Sequence, residues 1–373
     1  MLKPRYIMVG GFLGAGKTTA ILQLARRMRD QKIRVGLITN DQSSGLVDTT
    51  MLQSHGFATE EITGGCFCCM FNSLVDAANK LAANTHPDVF VAEPVGSCTD
   101  LQATVTFPLR RMYGDNYSIS PLSVVLDPVR TARILGLEPG PTFSRKVRYI
   151  FEKQLEEADV LVINKCDRID ELQQSRLQQE LERRFPRAKV LRVSARTGSG
   201  IDQWLALLQQ EENQGTALID VDYDVYAEGE ALLGWLNLSA TVCGSEFDGN
   251  EFLRRLGSSI RQRLDENDIP MAHLKMTLTP QTGNDLAVGN IVRNQAALEL
   301  SHELDEPLEE GALLVNLRAE AAPEILQPIV DEELQRLASS SGVTATIDHL
   351  DAFRPGRPQP THRLVQLTLT APG

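Results

Sequence analysis

No stretch of the 373-residue chain approaches the ~20 consecutive apolar residues that a membrane-spanning helix needs, although 42 % of its residues are hydrophobic. Met1 leads within a few residues into the apolar run 6–9 and a glycine loop, which leaves no room for a signal peptide. The expectation is a soluble, cytoplasmic protein with no membrane partner. Cysteine is scarce: six residues are too few for a disulfide scaffold at this length. The six histidines are scattered singly, and each reads as an ordinary surface or core residue. Basic residues are sparse in the second half, where 216–373 carries 11 Lys and Arg against 25 Asp and Glu; 1–215 carries 26 against 24. Such a balance excludes a nucleic-acid surface there, which would need clustered Lys and Arg. It fits a solvated acidic face, or a surface that steers a basic partner. No internal repeat or low-complexity tract is present.

What the chain does contain is organised in two halves, as its length favours. Over the first ~210 residues, short apolar runs alternate with segments of helical period, the pattern of a parallel α/β sheet. Strands are expected at 6–9, 35–39, 89–93, 123–127, 160–164 and 190–194. Between them Ile21, Leu24, Ala25 and Met28 form one apolar helix face, and Phe151, Leu155 and Ala158 form another. The polar stretch 211–224 reads as a linker. Beyond it, strand-like alternation (Leu236, Leu238, Ala240, Val242; Leu274, Met276, Leu278) brackets a helix carrying Phe252, Leu256, Ile260 and Leu264. A second helix, with Leu326, Ile329, Val330, Leu334 and Leu337, lies between strands expected at 313–317 and 344–350. Two strand–helix–strand units predict an α+β domain of ferredoxin-like type. The region 289–304 is a further strand candidate, 354–360 resists regular structure, and 364–370 fits a final strand. The expected organisation is a P-loop NTPase domain at 1–212, a linker at 213–224 and an α+β domain at 225–373. Trp204 and Trp235 read as packing residues.

The most specific motif is Gly11-Phe-Leu-Gly14-Ala15-Gly16-Lys17-Thr18, followed by Thr19, between an expected strand and an expected helix. Glycines let the backbone wrap a β-phosphate with its N–H groups turned inward, at the positive end of the following helix. Lys17 is expected to bridge β- and γ-phosphate oxygens and Thr18 to ligate Mg²⁺. Asn164-Lys165-Cys166-Asp167 has the form N-K-x-D at a strand end, with Cys166 filling the variable position. An Asp167 carboxylate accepting from guanine N1 and N2 selects guanine, since adenine offers no such donor pair. Ser194-Ala195 ends the next strand, where a backbone N–H can meet guanine O6. GTP is the expected nucleotide.

Cys66, Cys68 and Cys69 crowd together after Gly64-Gly65, whereas Cys98, Cys166 and Cys243 stand alone in the sequence. Nearby thiolates suit borderline and soft ions, and three ligands leave a position open for release of a cargo. Buried thiols or a redox pair are the alternative.

Gly10–Thr19, then Gly-Gly-Cys-Phe-Cys-Cys, then Glu93-Pro-Val-Gly96, then Asn-Lys-Cys-Asp resemble, in content and order, the CobW family of metallochaperone GTPases. That family is related to the hydrogenase and urease nickel-insertion GTPases. The resemblance covers the first ~210 residues and implies that Cys66, Cys68 and Cys69 are metal ligands. Glu93 matches the family's E-x-x-G carboxylate, acting through the Mg²⁺ shell or the attacking water. Asp41 falls where the family's first switch, usually Asn-Glu-Phe-Gly, carries Glu, and its shorter side chain departs from the pattern in a residue that would touch Mg²⁺ or metal. The chain also lacks the His-rich loop of many members.

Together these features imply a slow GTPase that binds a transition metal and delivers it to a client metalloprotein. Zinc fits best, and cobalt or nickel is compatible. GTP·Mg²⁺ would order the segment from Asn40 to Cys69 and hydrolysis would relax it, which links thiolate geometry to nucleotide state. No arginine finger or catalytic Gln is identifiable, so an activator or a homodimer would speed turnover. The rivals are a regulatory GTPase whose cysteines are structural, and a P-loop kinase for a small molecule.

Overall fold

The computed structural model of the chain describes residues 3–40, 47–210, 218–283 and 285–364. It divides into two compact units, Met1–Tyr226 with Pro358–Gly373, and Ala227–Arg357. The expected domain at 225–373 therefore loses its tail, which hydrogen-bonds to the first unit.

In the first unit β1 (Arg5–Gly10), β2 (Val35–Asn40), β3 (Ala58–Ile62), β4 (Val89–Glu93), β5 (Ser118–Ile119), β6 (Ser123–Leu126), β7 (Val160–Ile163) and β8 (Lys189–Arg192) form one sheet. Its order is β3-β2-β4-β1-β6-β7-β8, with the two-residue β5 also on β1, and all these pairings are parallel. Parallel strands need covering crossovers on both faces, so the central strands are near-continuous apolar runs. β1, β4, β6 and β7 are buried almost throughout. The helix Lys17–Asp30 buries Ile21, Leu24, Ala25 and Met28, the face read from the sequence. Trp204 is fully buried, and its indole N–H donates to Ser123 Oγ at 2.9 Å. The six expected strands are present, with ends shifted by a residue or two. β3 was not expected: as an edge strand it is half exposed, and Ala-Thr-Glu-Glu-Ile carries no apolar run. The carboxyl ends of these strands carry the site loops, as open parallel sheets dictate.

The second unit contains β9 (Gly234–Phe247), β10 (Met271–Pro280), β11 (Ala287–Ile291), β12 (Glu299–His302), β13 (Leu308–Ala319) and β14 (Val343–Phe353). Helices Gly249–Glu266 and Pro323–Ser340 connect β9 to β10 and β13 to β14. The antiparallel order β12-β11-β10-β13-β9-β14 is the ferredoxin-like arrangement extended at one edge. The extension is the region 289–304, which supplies parts of two strands rather than one. Both helices bury their apolar faces in one core with Leu236, Leu238, Met276, Leu313 and Val315. Trp235 is buried with the Arg318 guanidinium 4.0 Å from its ring centroid. Residues 358–364 are irregular, and all of the expected strand at 364–370 except Leu364 lies outside the described residues.

Candidate functional site

β1 ends at Gly10 and the chain turns through the glycine loop into the helix beginning at Lys17. Gly11, Gly14 and Gly16 all have positive φ, the left-handed region glycine adopts at least cost. At Gly11 a Cβ would lie 2.3 Å from the Val125 carbonyl oxygen, and at Gly16 one would lie 2.7 Å from Asn164 Nδ2. The loop is packed as well as bent. Lys17 and Thr18 are buried, whereas Thr19 faces outward. Thr18 Oγ1 donates to Glu93 Oε1 at 3.1 Å, and Lys17 Nζ lies 3.8 Å from the same oxygen. The carboxylate picked out of Glu-Pro-Val-Gly thus meets the P-loop across 75 residues of sequence.

Asn164, 1 % exposed, ties three segments together. Its Nδ2 donates to Ala15 O at 3.0 Å, and its Oδ1 accepts from Ala195 N at 3.0 Å. Lys165 is in the left-handed conformation, and its ammonium donates to Gly14 O at 2.6 Å and to Asp127 Oδ2 at 2.9 Å. Burial would raise the Asp127 pKa, but Lys165 and Arg130 overcome it and hold the carboxyl well below the usual range. Burial lowers the Lys165 pKa, with Asp127 opposing. The Arg130 guanidinium donates to Leu13 O and stacks near Phe12 and Phe143. Asp127 and Arg130 are site residues the sequence reading missed; the signal was an Asp-Pro helix start at a strand end, with Asp127 capping Arg130 N at 2.9 Å. Asp167 is exposed, and its Oδ1 accepts from Ser194 Oγ at 2.6 Å. The amides of Ser194 and Ala195 are donated within the protein, to Ser199 O at 2.9 Å and to Asn164. Asp41 and the rest of 41–46 lie outside the described residues.

Beyond β2, Asn40 Nδ2 donates to Ile62 O at 3.0 Å and Gly65 O at 2.7 Å, fixing the backbone that enters the cysteine turn. Cys69 N and Met70 N both donate to Cys66 O, and the helix Phe71–Thr85 follows. This turn brings the sulfurs of Cys66, Cys68 and Cys69 within 4.8 Å of one another. Cys66 Sγ lies 2.9 Å from Cys68 Sγ and 3.3 Å from Cys69 Sγ, and Cys68 and Cys69 are 3.7 Å apart. A tetrahedral zinc with Zn–S bonds of ~2.3 Å has S···S edges of ~3.8 Å, so slight opening suffices. Cys98, solitary in the sequence, is buried but is not among the three thiols that lie within 4.8 Å of one another. Hydrogen bonding with Cys68 and Cys69 holds the Cys66 thiol well below its usual pKa, whereas the hydrogen bond with Cys66 helps push Cys69 up to about 11.

The tail closes over this turn. Gln359 N donates to Cys69 Sγ at 3.2 Å, Thr361 N to Cys68 O at 2.8 Å and Thr361 Oγ1 to Cys69 O at 2.9 Å. His362 stands edge-on to Phe71, with ring centroids 4.9 Å apart, and Leu364 N donates to Ala103 O at 3.0 Å. Arg363 Nε donates to Asp100 Oδ2 at 2.6 Å, an oxygen that also accepts from Tyr223 at 2.8 Å. Sequence alone gave no signal for this return, because its partners Cys69 and Asp100 lie 263 to 292 residues away along the chain.

The family profile described as the CobW/HypB/UreG nucleotide-binding domain matches residues 5–192, half of the chain. The chain belongs to this family. It is 30 % identical over 164 residues to the zinc chaperone YeiR of Escherichia coli (strain K12), covering 43 % of this chain and 46 % of that protein. Over 210 residues it is 28 % identical to a zinc chaperone CobW of a Sinorhizobium species, covering 51 % and 58 %. It is 24 % identical over 213 residues to the zinc-regulated GTPase metalloprotein activator 1 of Dictyostelium discoideum, covering 50 % and 44 %. The chain thus matches about half the length of these relatives. Within the CobW/HypB/UreG domain lie the glycine loop, the cysteine turn, Glu93 and Asn164–Asp167. Among the described residues, no helix is long and apolar enough to cross a membrane.

Proposed function

We propose that this protein binds and hydrolyses GTP and carries a transition metal, zinc foremost, on Cys66, Cys68 and Cys69 for delivery to a client metalloprotein. The observation that carries this reading is the convergence of three thiols within 4.8 Å in a chain that also holds a P-loop.

In this reading Gly11, Gly14, Ala15, Gly16 and Thr19 line the phosphates with their amides, and Lys17 neutralises the charge that builds on the transferred group. Thr18 and Glu93 present hard oxygens side by side, a donor set suited to Mg²⁺, which would supply charge neutralisation between the phosphates. Asp167, turned by Ser194, accepts from guanine, while Asn164 and Ala195 hold the base-reading loop against the P-loop. Lys165 braces Gly14 from the same side. Turnover is slow without an activator, a homodimer or a bound client.

The metal reaches the switch through Asn40, which joins the end of β2 to Gly65. Loss of the γ-phosphate alters the segment after Asn40, and Gly65 passes that change to the thiols. By linkage, bound metal must alter GTP affinity or hydrolysis in return. The test is zinc and cobalt titration of the whole protein with GDP and with a non-hydrolysable GTP analogue, beside a Cys66/Cys68/Cys69→Ser variant. Tight binding that needs the cysteines and shifts with nucleotide is expected. Partner binding that follows nucleotide and survives the triple substitution, with weak metal binding, would replace this reading by a regulatory GTPase.

A further inference from the structure

Three consecutive carbonyls of the glycine loop are each held by a side chain from a neighbouring strand end. Leu13 O accepts from Arg130 Nη1, Gly14 O from Lys165 Nζ at 2.6 Å and Ala15 O from Asn164 Nδ2 at 3.0 Å. Arg130 stands in the first turn of the helix Pro128–Ile134, which follows β6, and Asn164 and Lys165 follow β7. Asp127 joins the two cations: its Oδ1 accepts from Arg130 N at 2.9 Å and its Oδ2 from Lys165 Nζ at 2.9 Å. Asn164 and Lys165 belong to the N-K-x-D motif, whereas Arg130 belongs to no motif read from the sequence.

In a trans peptide the C=O and the N–H of the next residue point in opposite directions. Fixing the carbonyls of Leu13 and Ala15 toward the ends of β6 and β7 therefore turns the N–H groups of Gly14 and Gly16 the other way. The peptide between them is held at both ends, since Ala15 N donates to Phe12 O at 3.1 Å. A glycine-rich backbone has more freedom to lose than any other, and ordering it only when a phosphate arrives would cost affinity. Arg130 is 7 % exposed, with its guanidinium 5.4 Å from the Phe12 ring centroid and 5.3 Å from that of Phe143. Filling the space between those rings needs only an apolar stem. Holding the Leu13 carbonyl needs a donor at its tip.

We propose that Arg130 is a positioning residue for the β-phosphate: by holding the Leu13 carbonyl it sets the Gly14 amide before the nucleotide binds. The inference rests on the reading of this chain as a GTP-binding protein and adds a residue to that site. Arg130 acts through the backbone and needs no contact with the nucleotide. Its hydrogen bond joins residues 117 apart in sequence. Asp127 gives the device its rigidity, because one carboxylate fixes the backbone from which Arg130 projects and also the ammonium that holds the next carbonyl. The end of β6 thus braces the first of the three carbonyls, and the end of β7 braces the other two.

The test compares GDP with GMP, which lacks the β-phosphate, on the full chain, by competition against fluorescent GDP. Arg130→Met keeps an apolar stem between the two rings and removes the donor, whereas Arg130→Lys keeps a donor. The ratio of GDP to GMP affinity should fall roughly tenfold in Arg130→Met and stay within about threefold of wild type in Arg130→Lys. An unchanged ratio in Arg130→Met, including equal losses of both affinities, would overturn the proposal and leave Arg130 as packing. Equal falls of the ratio in the Met and Lys variants would overturn it too. Cooperative urea unfolding checks that each variant folds. If Arg130→Met does not, Arg130→Gln takes its place, its amide ending two bonds short of the Arg130 donor, and an unchanged ratio there overturns the proposal equally. Wild-type protein that binds no guanine nucleotide would overturn the GTP reading itself; wild type that favours GDP over GMP while the variants match it would overturn the role of Arg130 alone.

Discussion

Asn164→Ala is the perturbation whose size follows most directly from the structure. The side chain is 1 % exposed and makes one hydrogen bond as a donor, to Ala15 O, and one as an acceptor, from Ala195 N, both at 3.0 Å. Truncation leaves a carbonyl in the P-loop and an amide in the Ser194-Ala195 loop without that partner. Each buried group left unsatisfied costs about 1–3 kcal/mol, so the pair should cost about 2–6 kcal/mol. Asn164→Asp keeps the shape and the acceptor for Ala195 N, but sets a carboxylate oxygen against Ala15 O. The charge is then buried beside a like partial charge, and the variant should be at least as destabilised as Ala despite being nearly isosteric. Urea unfolding followed by Trp204 fluorescence in a Trp235→Phe background reports the first unit, and fluorescent-GDP titration reports the loop. Both variants should lose nucleotide affinity along with stability. A cost below about 0.5 kcal/mol for Ala, or an Asp variant as stable as wild type, would refute the claim that Asn164 joins the two loops.

Three further outcomes follow from the same fold. Burial raises Glu157 to about 8 from its ordinary 4.5, so the folded chain keeps a proton that the unfolded chain releases between those values. Stability from this group is complete below pH 4.5 and is lost as pH rises through 8, at up to about 1.4 kcal/mol per pH unit; Glu157→Gln should flatten urea-derived stability between pH 5 and 8. Gly11→Ala puts a Cβ 2.3 Å from a backbone oxygen at positive φ and should cost about 2–4 kcal/mol in thermal or urea unfolding, whereas Gly56→Ala, with open space around it, should cost about 1–2 kcal/mol for its φ alone. Arg363→Ala removes a tail anchor on buried Asp100, so mass spectrometry should find Cys69 alkylated several-fold faster than in wild type; an unchanged rate would mean that the main-chain bonds at Thr361 hold the tail unaided.

The parts of this protein legible in its sequence are those where one residue type has one physical use. The glycines of the P-loop, Lys17 and Thr18 fall at fixed spacing because the loop must wrap and the helix must start there. The 3.6-residue spacing of Ile21, Leu24, Ala25 and Met28 and the alternation at Leu236–Val242 declared their elements because each buries one face. Edge strand β3 was hidden because a half-exposed strand needs no apolar run, and the hairpin in 289–304 because its strands are short. Asp127 and Arg130 were hidden for another reason: their partners Lys165 and Leu13 are distant in sequence, and only the sheet order brings the end of β6 beside the P-loop. The amides of Ser194 and Ala195 looked available for guanine in the sequence, yet the fold gives both of them partners.

The chain order of the tail also has a consequence for synthesis. Every strand of the nucleotide-binding sheet is made before the 227–357 unit begins, but Gln359, which covers Cys69, is made only after that unit ends. At about 5–20 residues per second, roughly 8–33 s separate the last strand of the sheet, ending at Arg192, from Gln359. During that interval the nascent protein already carries its P-loop and its three neighbouring thiols, uncovered, so newborn chains are more open to metal and to oxidants than finished ones.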